Sequence, residues 1–178
     1  AVNDKQLRTD TLLLSRSVRP VNIRLATESD ITTLANLYQQ TVLTHAQKHY
    51  TPEQAAAWAS LAGETETFRA FILKATTFVA IDSTGDATGI LGFAGIANDG
   101  HITATYVRHD ALHQGIGSKL MERILDYATG RQIARLYAEA NPFSLGLFKK
   151  FGFQLYATET VNRQGVEFQR SLVELKLN

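Results

Sequence analysis

The sequence predicts a single α/β (α+β) domain. Its sheet is expected to be mixed and mostly antiparallel, with about six to seven strands and with helices on both faces. Short segments of alternating apolar and polar residues come in runs, and segments with helical spacing of apolar residues stand between them. A length of 178 residues suits one compact domain. We expect this domain over residues 21–178, with residues 1–20 as an N-terminal tail or an added edge segment.

The N-terminal half is expected to begin with one strand and three helices. Residues 21–25 alternate apolar and polar side chains, as a half-buried strand does. Residues 27–30 supply helix-starting side chains, and apolar residues at helical spacing follow as far as His45. A second helix is expected over 52–58, because proline suits a first helical turn, and a short third helix over 66–74.

The rest of the chain is expected to add six strands and two helices. Strands over 76–83 and 90–97 flank a hairpin-like connection, and the segment 101–107 alternates again. A helix with one apolar face starts at Gly115, and Gly130 fits its end. The remaining elements are a strand over 133–140, a short helix over 142–151, and a final hairpin of strands 153–161 and 166–177.

Composition narrows the possible partners and chemistry. The formal net charge of +1 provides no broad field for nucleic acid or an anionic membrane, and we expect neither as a partner. The absence of cysteine excludes disulfides, thiolate metal sites and a cysteine nucleophile. No secretory signal is visible and no segment approaches the ~18 consecutive apolar residues of a membrane span. A cytoplasmic location is the expectation.

The segment with the clearest chemical meaning is the turn Gln114-Gly115-Ile116-Gly117-Ser118, where a strand and loop lead into a helix. Glycines let the backbone approach a bulky anion, and the free amides at a helix N-terminus favour phosphate. Taken alone, the turn is equally consistent with a tight helix start. The P-loop and the dinucleotide fingerprint both fail, because the required Gly-Lys-Ser/Thr and third glycine are absent.

Together with a second block of residues, this motif resembles the pattern of a known family. The block begins with Ala140-Asn141-Pro142 at the end of the next expected strand. It ends with the segment Leu147 to Phe153, whose last two residues are Gly152-Phe153. Together with Tyr106-Val107 before the glycine turn, these residues resemble the GNAT superfamily of acetyl-CoA-dependent N-acetyltransferases over roughly residues 21–177. The resemblance implies the fold of that family, with acetyl-CoA as cosubstrate and no metal.

The resemblance also implies cofactor contacts, residue by residue. The backbone N–H of Val107 would polarise the thioester carbonyl, an oxyanion-type role. The amides from Gln114 to Ser118 would hold the pyrophosphate, and Asn141 would contact the pantetheine arm. Leu112 stands where the family usually has Arg or Gln; the backbone amides would still bind phosphate, and His113 or Gln114 could compensate. The implied cofactor-binding residues are Val107, His113, Gln114, Gly115, Ile116, Gly117, Ser118, Lys119, Asn141 and Phe148.

Proton transfer is the part of the family pattern that this sequence departs from. Phe148 occupies the position where many members have a tyrosine that protonates the leaving thiolate, so no general acid is assigned. Some members place a glutamate base six residues before the position of Val107, and here that residue is His101. A histidine can accept the proton, directly or through water. The alternative is an exposed histidine at the start of a strand.

Other residues receive weaker expectations. His45 with His49, and His109 with His113, have a spacing that suits two metal ligands, but neither pair has a third ligand and we expect no metal. Tyr38, Tyr50 and Trp58 are candidates for the acceptor site, although a role for Trp58 in the core is the simpler interpretation. Lys149 and Lys150 are expected on a solvated face, with contact to a phosphate of coenzyme A as the alternative.

The function that the sequence predicts is direct transfer of an acetyl group from acetyl-CoA to a primary amine in a ternary complex. The acceptor stays open among a polyamine, an amino acid, an antibiotic and a protein amine. The alternative is a non-catalytic acyl-CoA sensor or interaction domain, which Phe148 favours. Monomer and homodimer both stay open.

Overall fold

A computed structural model describes residues 19–84 and 89–177. Its described residues form seven strands and five α-helices, which confirms the expected fold class. The strands are β1 Val21–Leu25, β2 Thr76–Asp82, β3 Ile90–Ile96, β4 Ile102–Val107, β5 Arg135–Ala140, β6 Gln154–Arg163 and β7 Val166–Lys176. The helices are α1 Ile31–Ala46, α2 Pro52–Ala59, α3 Thr65–Leu73, α4 Ile116–Gly130 and α5 Leu145–Lys150. Residues 1–18 of the predicted tail lie outside the described residues, so the division at residue 20 stays a prediction.

The strands form two antiparallel sheets, with orders β1-β2-β3-β4 and β5-β7-β6. A parallel bridge between His101 and Tyr137 joins them, and the Tyr137 amide donates to the Gly100 carbonyl at 3.1 Å. Along the rest of their described length, β4 and β5 are not paired with each other. The sequence predicted one mixed sheet. The structure instead opens that sheet between β4 and β5, and the opening provides space for ligands.

Helix α4 packs closely against β3 because of a glycine. A Cβ atom on Gly92 would lie 2.7 Å from the Tyr106 carbonyl oxygen and 3.2 Å from side-chain carbons of Ile116 and Leu120. Both of these helix residues are buried in a core that also contains Phe148. The close packing holds the N-terminus of α4 beside the C-terminal end of β4.

Helices α1 to α3 contribute to a second core, which contains Leu34, Tyr38 and Phe68. The start of α1 is held by Asp30, whose carboxylate accepts from Arg24 at 2.7 and 2.9 Å and from the Thr27 amide at 2.8 Å. Hydrogen bonding from Arg24, together with the Thr27 bonds, lowers the pKa of Asp30 to about 2. These contacts fix where α1 begins and therefore how it crosses the sheet.

The last two strands form a longer hairpin than the sequence predicts. Strand β6 extends to Arg163, and the turn Gln164–Gly165 has φ values of 52° and 79°. Two consecutive positive φ values are typical of the type I′ turn that fits the twist of a two-residue hairpin. Arg163 therefore lies at the end of a strand and not within a loop.

None of the helices within residues 19–84 and 89–177 is long and apolar enough to cross a membrane.

Candidate active site

The outer edge of β4 presents backbone groups to the opening between the sheets. The Arg108 amide donates to the Leu91 carbonyl at 2.8 Å, and Val107 is the neighbouring residue, opposite Gly92. Hydrogen-bonded and non-bonded pairs alternate along an antiparallel ladder. The N–H and carbonyl of Val107 therefore point away from β3 and into the opening, where the Thr41 hydroxyl lies 3.5 Å from that carbonyl oxygen.

The glycine turn lies next to this edge. Gly115 has φ 82° and ψ 5°, in the left-handed region that favours glycine. The hydrogen bonds of α4 begin with the Lys119 amide donating to the Gly115 carbonyl at 3.1 Å. The amides of residues 116–118 precede that bond and have no intrahelical acceptor, as is general for a first helical turn. An anion placed here would meet several N–H donors and the positive end of the helix dipole.

A cleft of about 600 Å³ extends from this turn along β4. Lys150 lines it and donates to the Ser118 hydroxyl at 2.6 Å, so a positive charge stands beside the first turn of α4. The predicted cofactor residues that line the cleft are Val107, His113, Gly115, Ile116, Gly117, Ser118 and Asn141. The structure thus brings most of the predicted set to one surface.

Three predicted residues do not line the cleft, and two of them, Gln114 and Lys119, flank the glycine turn. Gln114 is turned towards Arg19, whose backbone amide donates to the Gln114 carbonyl at 3.0 Å and whose guanidinium donates to the side-chain oxygen at 3.2 Å. Lys119 is exposed and lies 3.7 Å from Glu122 on the same helix. Neither lines the cleft. The sequence could not show this, because it does not reveal the direction of a side chain at a helix start.

Asn141 lines the cleft and also stabilises the turn that precedes α5. Its Oδ1 accepts from the amides of Phe143 and Ser144, both at 2.9 Å, which forms the turn before α5. This turn orients the residue so that it borders the cleft and the adjoining cavity. With Oδ1 engaged, the Nδ2 amide group is the part of the side chain that remains for a ligand.

Phe148, the third predicted residue outside the cleft, is buried beside it. It is 2% exposed and packs edge-on against Phe153, with ring centroids 5.0 Å apart. It lines the adjoining cavity and not the cleft, so its predicted contact with a cofactor would have to be made from that cavity. Its phenyl ring offers no proton.

The adjoining cavity has a volume of about 160 Å³, and seven of its eighteen lining residues are aromatic. Tyr50 meets Trp58 edge-on with centroids 5.3 Å apart, and Tyr38 meets Tyr106 in the same way at 4.9 Å. The three weak acceptor-site candidates of the sequence all line it. The aromatic lining consists of Tyr38, Tyr50, Trp58, Phe71, Tyr106, Phe148 and Phe168. The cavity and the cleft share a wall formed by Trp58, Thr105, Tyr106, Asn141 and Ser144.

A carboxylate and a histidine meet beside this cavity. Glu139, on β5, lines it, and its Oε2 lies 2.6 Å from Nε2 of His101. The His101 ring stacks on Tyr137, with centroids 4.9 Å apart, and does not line the cavity. The hydrogen bond with Glu139 raises the pKa of His101, and the same bond lowers the pKa of Glu139. Glu139 therefore stands between the predicted base and the space that an amine would enter.

The remaining histidines do not gather into a metal site. His45 lines the cleft, and its buried Nε2 has no hydrogen-bond partner among the described residues. Burial lowers the pKa of His45, with the nearby Lys48 and His109 adding to the effect. Within the described parts of the chain, no group of three or more His, Asp and Glu side chains could hold a metal ion.

Three residues of the site were missed by the sequence reasoning. Glu139 and Arg163 line the aromatic cavity, and Phe143 lines the cleft, where its ring stacks on Trp58 at 6.0 Å. For Glu139 the sequence did contain a signal, because β5 alternates Arg135, Tyr137 and Glu139 with Leu136, Ala138 and Ala140. In the structure the first three are partly exposed and the other three are buried. That alternation puts Glu139 on the open face two residues before Asn141. The strand-end position of Arg163 had no comparable signal.

The sequence matches the family model described as an acetyltransferase (GNAT) domain over residues 46–175. A comparison with curated proteins finds no significant match.

Solved structures with the same fold are numerous and distant in sequence. A GCN5-related N-acetyltransferase from Rhodopseudomonas palustris is 23% identical, with 88% of this chain and 96% of that chain covered and a TM-score of 0.82. The PaiA N-acetyltransferase from Thermoplasma acidophilum, solved with coenzyme A, is 18% identical with a TM-score of 0.72, covering 89% and 99% of the two chains. YncA from Salmonella typhimurium, solved with acetyl-CoA, is 20% identical with a TM-score of 0.64 and coverage of 89% and 94%. Identities this low establish similarity of fold.

Proposed function

The chain belongs to the GNAT acetyltransferase family, and we propose that it transfers the acetyl group of acetyl-CoA directly to a primary amine within a ternary complex. One observation carries the proposal. The cleft that starts at the glycine turn and the aromatic cavity share a wall that includes Thr105 and Asn141. Two ligands bound in these spaces would meet along β4, so transfer between them needs no covalent intermediate on the protein.

The cleft suits the cofactor half of the reaction. Free amides at residues 116–118 and the ammonium group of Lys150 suit a pyrophosphate, and the outward N–H of Val107 suits the thioester carbonyl. PaiA and YncA were solved with coenzyme A and acetyl-CoA respectively, which supports the same class of ligand here.

The chemistry requires a neutral amine beside the thioester. The amine nitrogen attacks the carbonyl carbon and a C–N bond forms, the C–S bond breaks with its electron pair leaving on sulfur, and the nitrogen releases its second proton to water to give the amide. The Val107 amide would stabilise the negative charge that develops on the carbonyl oxygen during this step. An alkylamine has a pKa of about 10.4, so a proton must be removed before attack.

Glu139 with His101 is the proposed route for that proton. Glu139 lines the cavity, and its carboxylate would receive the proton directly or through one water molecule. The 2.6 Å contact with His101 Nε2 then offers a second acceptor when that imidazole is neutral. In this proposal His101 would act through Glu139, as a positioning residue and a second proton acceptor, and not as the base that the amine meets first.

The leaving thiolate is proposed to depart without a protein acid at position 148. A free thiol has a pKa of about 8.5, so the thiolate can leave and be protonated by water afterwards. The buried phenyl ring of Phe148 would then contribute only to the wall of the cavity.

Steady-state kinetics test the proposal. Thiol release from acetyl-CoA would be followed with a polyamine, amino acids, an aminoglycoside and a lysine peptide, and acetylated products would be identified by mass spectrometry. We expect at least one acceptor to give equimolar thiol and acetylamine, with intersecting double-reciprocal lines. Parallel lines would instead indicate a covalent intermediate. Binding of acetyl-CoA without turnover on any acceptor would contradict the proposal and favour the sensor alternative.

A further inference from the structure

The aromatic cavity limits the size of the acceptor group that can lie inside it. Its volume of about 160 Å³ is close to that of an engineered cavity of about 150 Å³ that holds one benzene molecule. Rings of Tyr50, Trp58 and Phe168 lie against one another, with centroids 5.3 Å apart for the first pair and 5.6 Å for Tyr50 with Phe168. Such walls suit one small apolar or aromatic body.

The charged side chains that line this cavity differ in whether they have ion-pair partners. Three charged side chains line it: Glu139, Arg163 and Arg170. Glu139 is bonded to His101, and Arg170 donates through Nε to Glu159 at 3.0 Å. In the part of the chain that the structure describes, no carboxylate forms an ion pair with Arg163. Of the three charged side chains that line the cavity, Arg163 is therefore the one without an ion pair to a described residue.

Arg163 is positioned to reach both solvent and the aromatic wall. It is the last residue of β6, it is exposed, and the type I′ turn at Gln164–Gly165 fixes the backbone beside it. Burial raises the pKa values of the Tyr38 and Tyr106 phenols, and the charge of Arg163 opposes that rise in both. Arg163 lines the same cavity as these two rings and is itself exposed, so its guanidinium group can meet both a ligand and solvent.

Resting on the proposed N-acetyltransferase function, we infer that the acceptor is an amino carboxylate: a primary amine with a small apolar or aromatic body and a carboxylate that Arg163 binds. An arginine fork pairs with a carboxylate through two parallel hydrogen bonds. Glu139 and Arg163 would then receive opposite ends of the same molecule. A polyamine carries several positive charges and meets an unpaired cation here, which disfavours it.

Matched acceptors test this inference. Phenylalanine with phenethylamine, and leucine with isoamylamine, differ in structure by the carboxylate, which also lowers the pKa of the neighbouring amine, so kcat/KM is compared per neutral amine. We expect kcat/KM to be about tenfold higher for each amino acid, as one charge-assisted pair would give. In Arg163→Gln the advantage should disappear through a higher KM for the amino acids, while the two plain amines change by less than about twofold. Lys176→Gln removes an exposed charge of the same hairpin outside the cavity and should change neither class.

A binding measurement provides a second readout. N-acetylphenylalanine, titrated calorimetrically into the protein saturated with coenzyme A, should bind about tenfold more weakly to Arg163→Gln. Equal kcat/KM within each matched pair, or an unchanged preference in Arg163→Gln, would overturn the inference and leave the proposed function intact. Bound acetyl-CoA with no turnover on any of the four amines or on the wider panel would overturn both.

Discussion

The cofactor cleft and the aromatic cavity adjoin each other but are built from different parts of the chain. The cleft offers backbone groups: the outward N–H of Val107 and the free amides after Gly115, supplied by one continuous segment. The cavity offers side chains from α1, α2, β4, β5 and the β6–β7 hairpin, including Tyr38, Glu139 and Arg163. In the proposed function, backbone groups would bind a part of the cofactor that does not vary, whereas the side chains of the cavity could be replaced to accept different amines. The two regions should therefore respond to mutation in different ways.

The largest effect is expected from Glu139→Gln in the cavity. This change removes the proposed proton acceptor, and general-base catalysis contributes about a hundredfold or more. We expect kcat to fall by about a hundredfold while the Kd of acetyl-CoA, measured by calorimetry, stays within twofold. Glu174→Gln is a matched control, because Glu174 pairs with Arg135 and lines neither space. A full rate in Glu139→Gln would remove Glu139 from the mechanism.

The pH dependence of the same pair sharpens this test. Glu139 raises the pKa of His101, so His101 becomes neutral only above its ordinary value of about 6.5. We expect kcat/KM to rise with pH through that raised pKa. NMR titration of the His101 ring should show the pKa falling back towards about 6.5 in Glu139→Gln, since the hydrogen bond that stabilises the imidazolium weakens. An identical His101 titration in both proteins would contradict the pairing.

A smaller effect is expected in the cofactor cleft from Gly115→Val. Gly115 adopts φ 82°, and forcing a side chain into the left-handed region costs about 1–2 kcal/mol. The loop would relax and misalign its amides, so the Kd of acetyl-CoA should rise about tenfold. Asparagine tolerates this conformation better, and Gly115→Asn should bind more tightly than Gly115→Val. Gly130→Ala, at the other end of α4 with open space around it, should leave the Kd unchanged.

The smallest effect is expected from Lys150→Gln. Lys150 lines the cleft beside Ser118, but its ammonium group is exposed, and an exposed charge contributes less than about 1 kcal/mol. The Kd of acetyl-CoA should rise about threefold at low salt, and the difference should shrink as the salt concentration increases. Lys149→Gln, one residue away and outside the cleft, should change little. Equal effects of the two variants would show that only the overall charge matters.

The difference between the regions also explains what could be predicted from the sequence. The glycine turn and Asn141 belong to continuous segments, so their spacing is visible in the chain, and most of the predicted cofactor residues do line one cleft. Glu139 meets His101 only through the bridge that joins the two sheets, and no local pattern encodes that contact. The split into two sheets was missed for the same reason, since alternation predicts strands but not which of them pair.

The direction of side chains was the other feature of the site that the sequence could not predict. Gln114 and Lys119 belong to the predicted motif but point to Arg19 and to Glu122. Their neighbours Gly115 and Gly117 line the cleft, and their predicted contact with the pyrophosphate, which would be made by the backbone, stays a prediction.

The most direct test of the central claim is an NMR titration of the labelled protein with acetyl-CoA, following every backbone amide. If the cofactor is held by the backbone along the cleft, the largest shifts should fall on Val107 and on residues 115–118. The amides around Arg163, at the far side of the cavity, should change little until an acceptor is added. Large shifts confined to another surface, with Val107 and the glycine turn unchanged, would contradict the account.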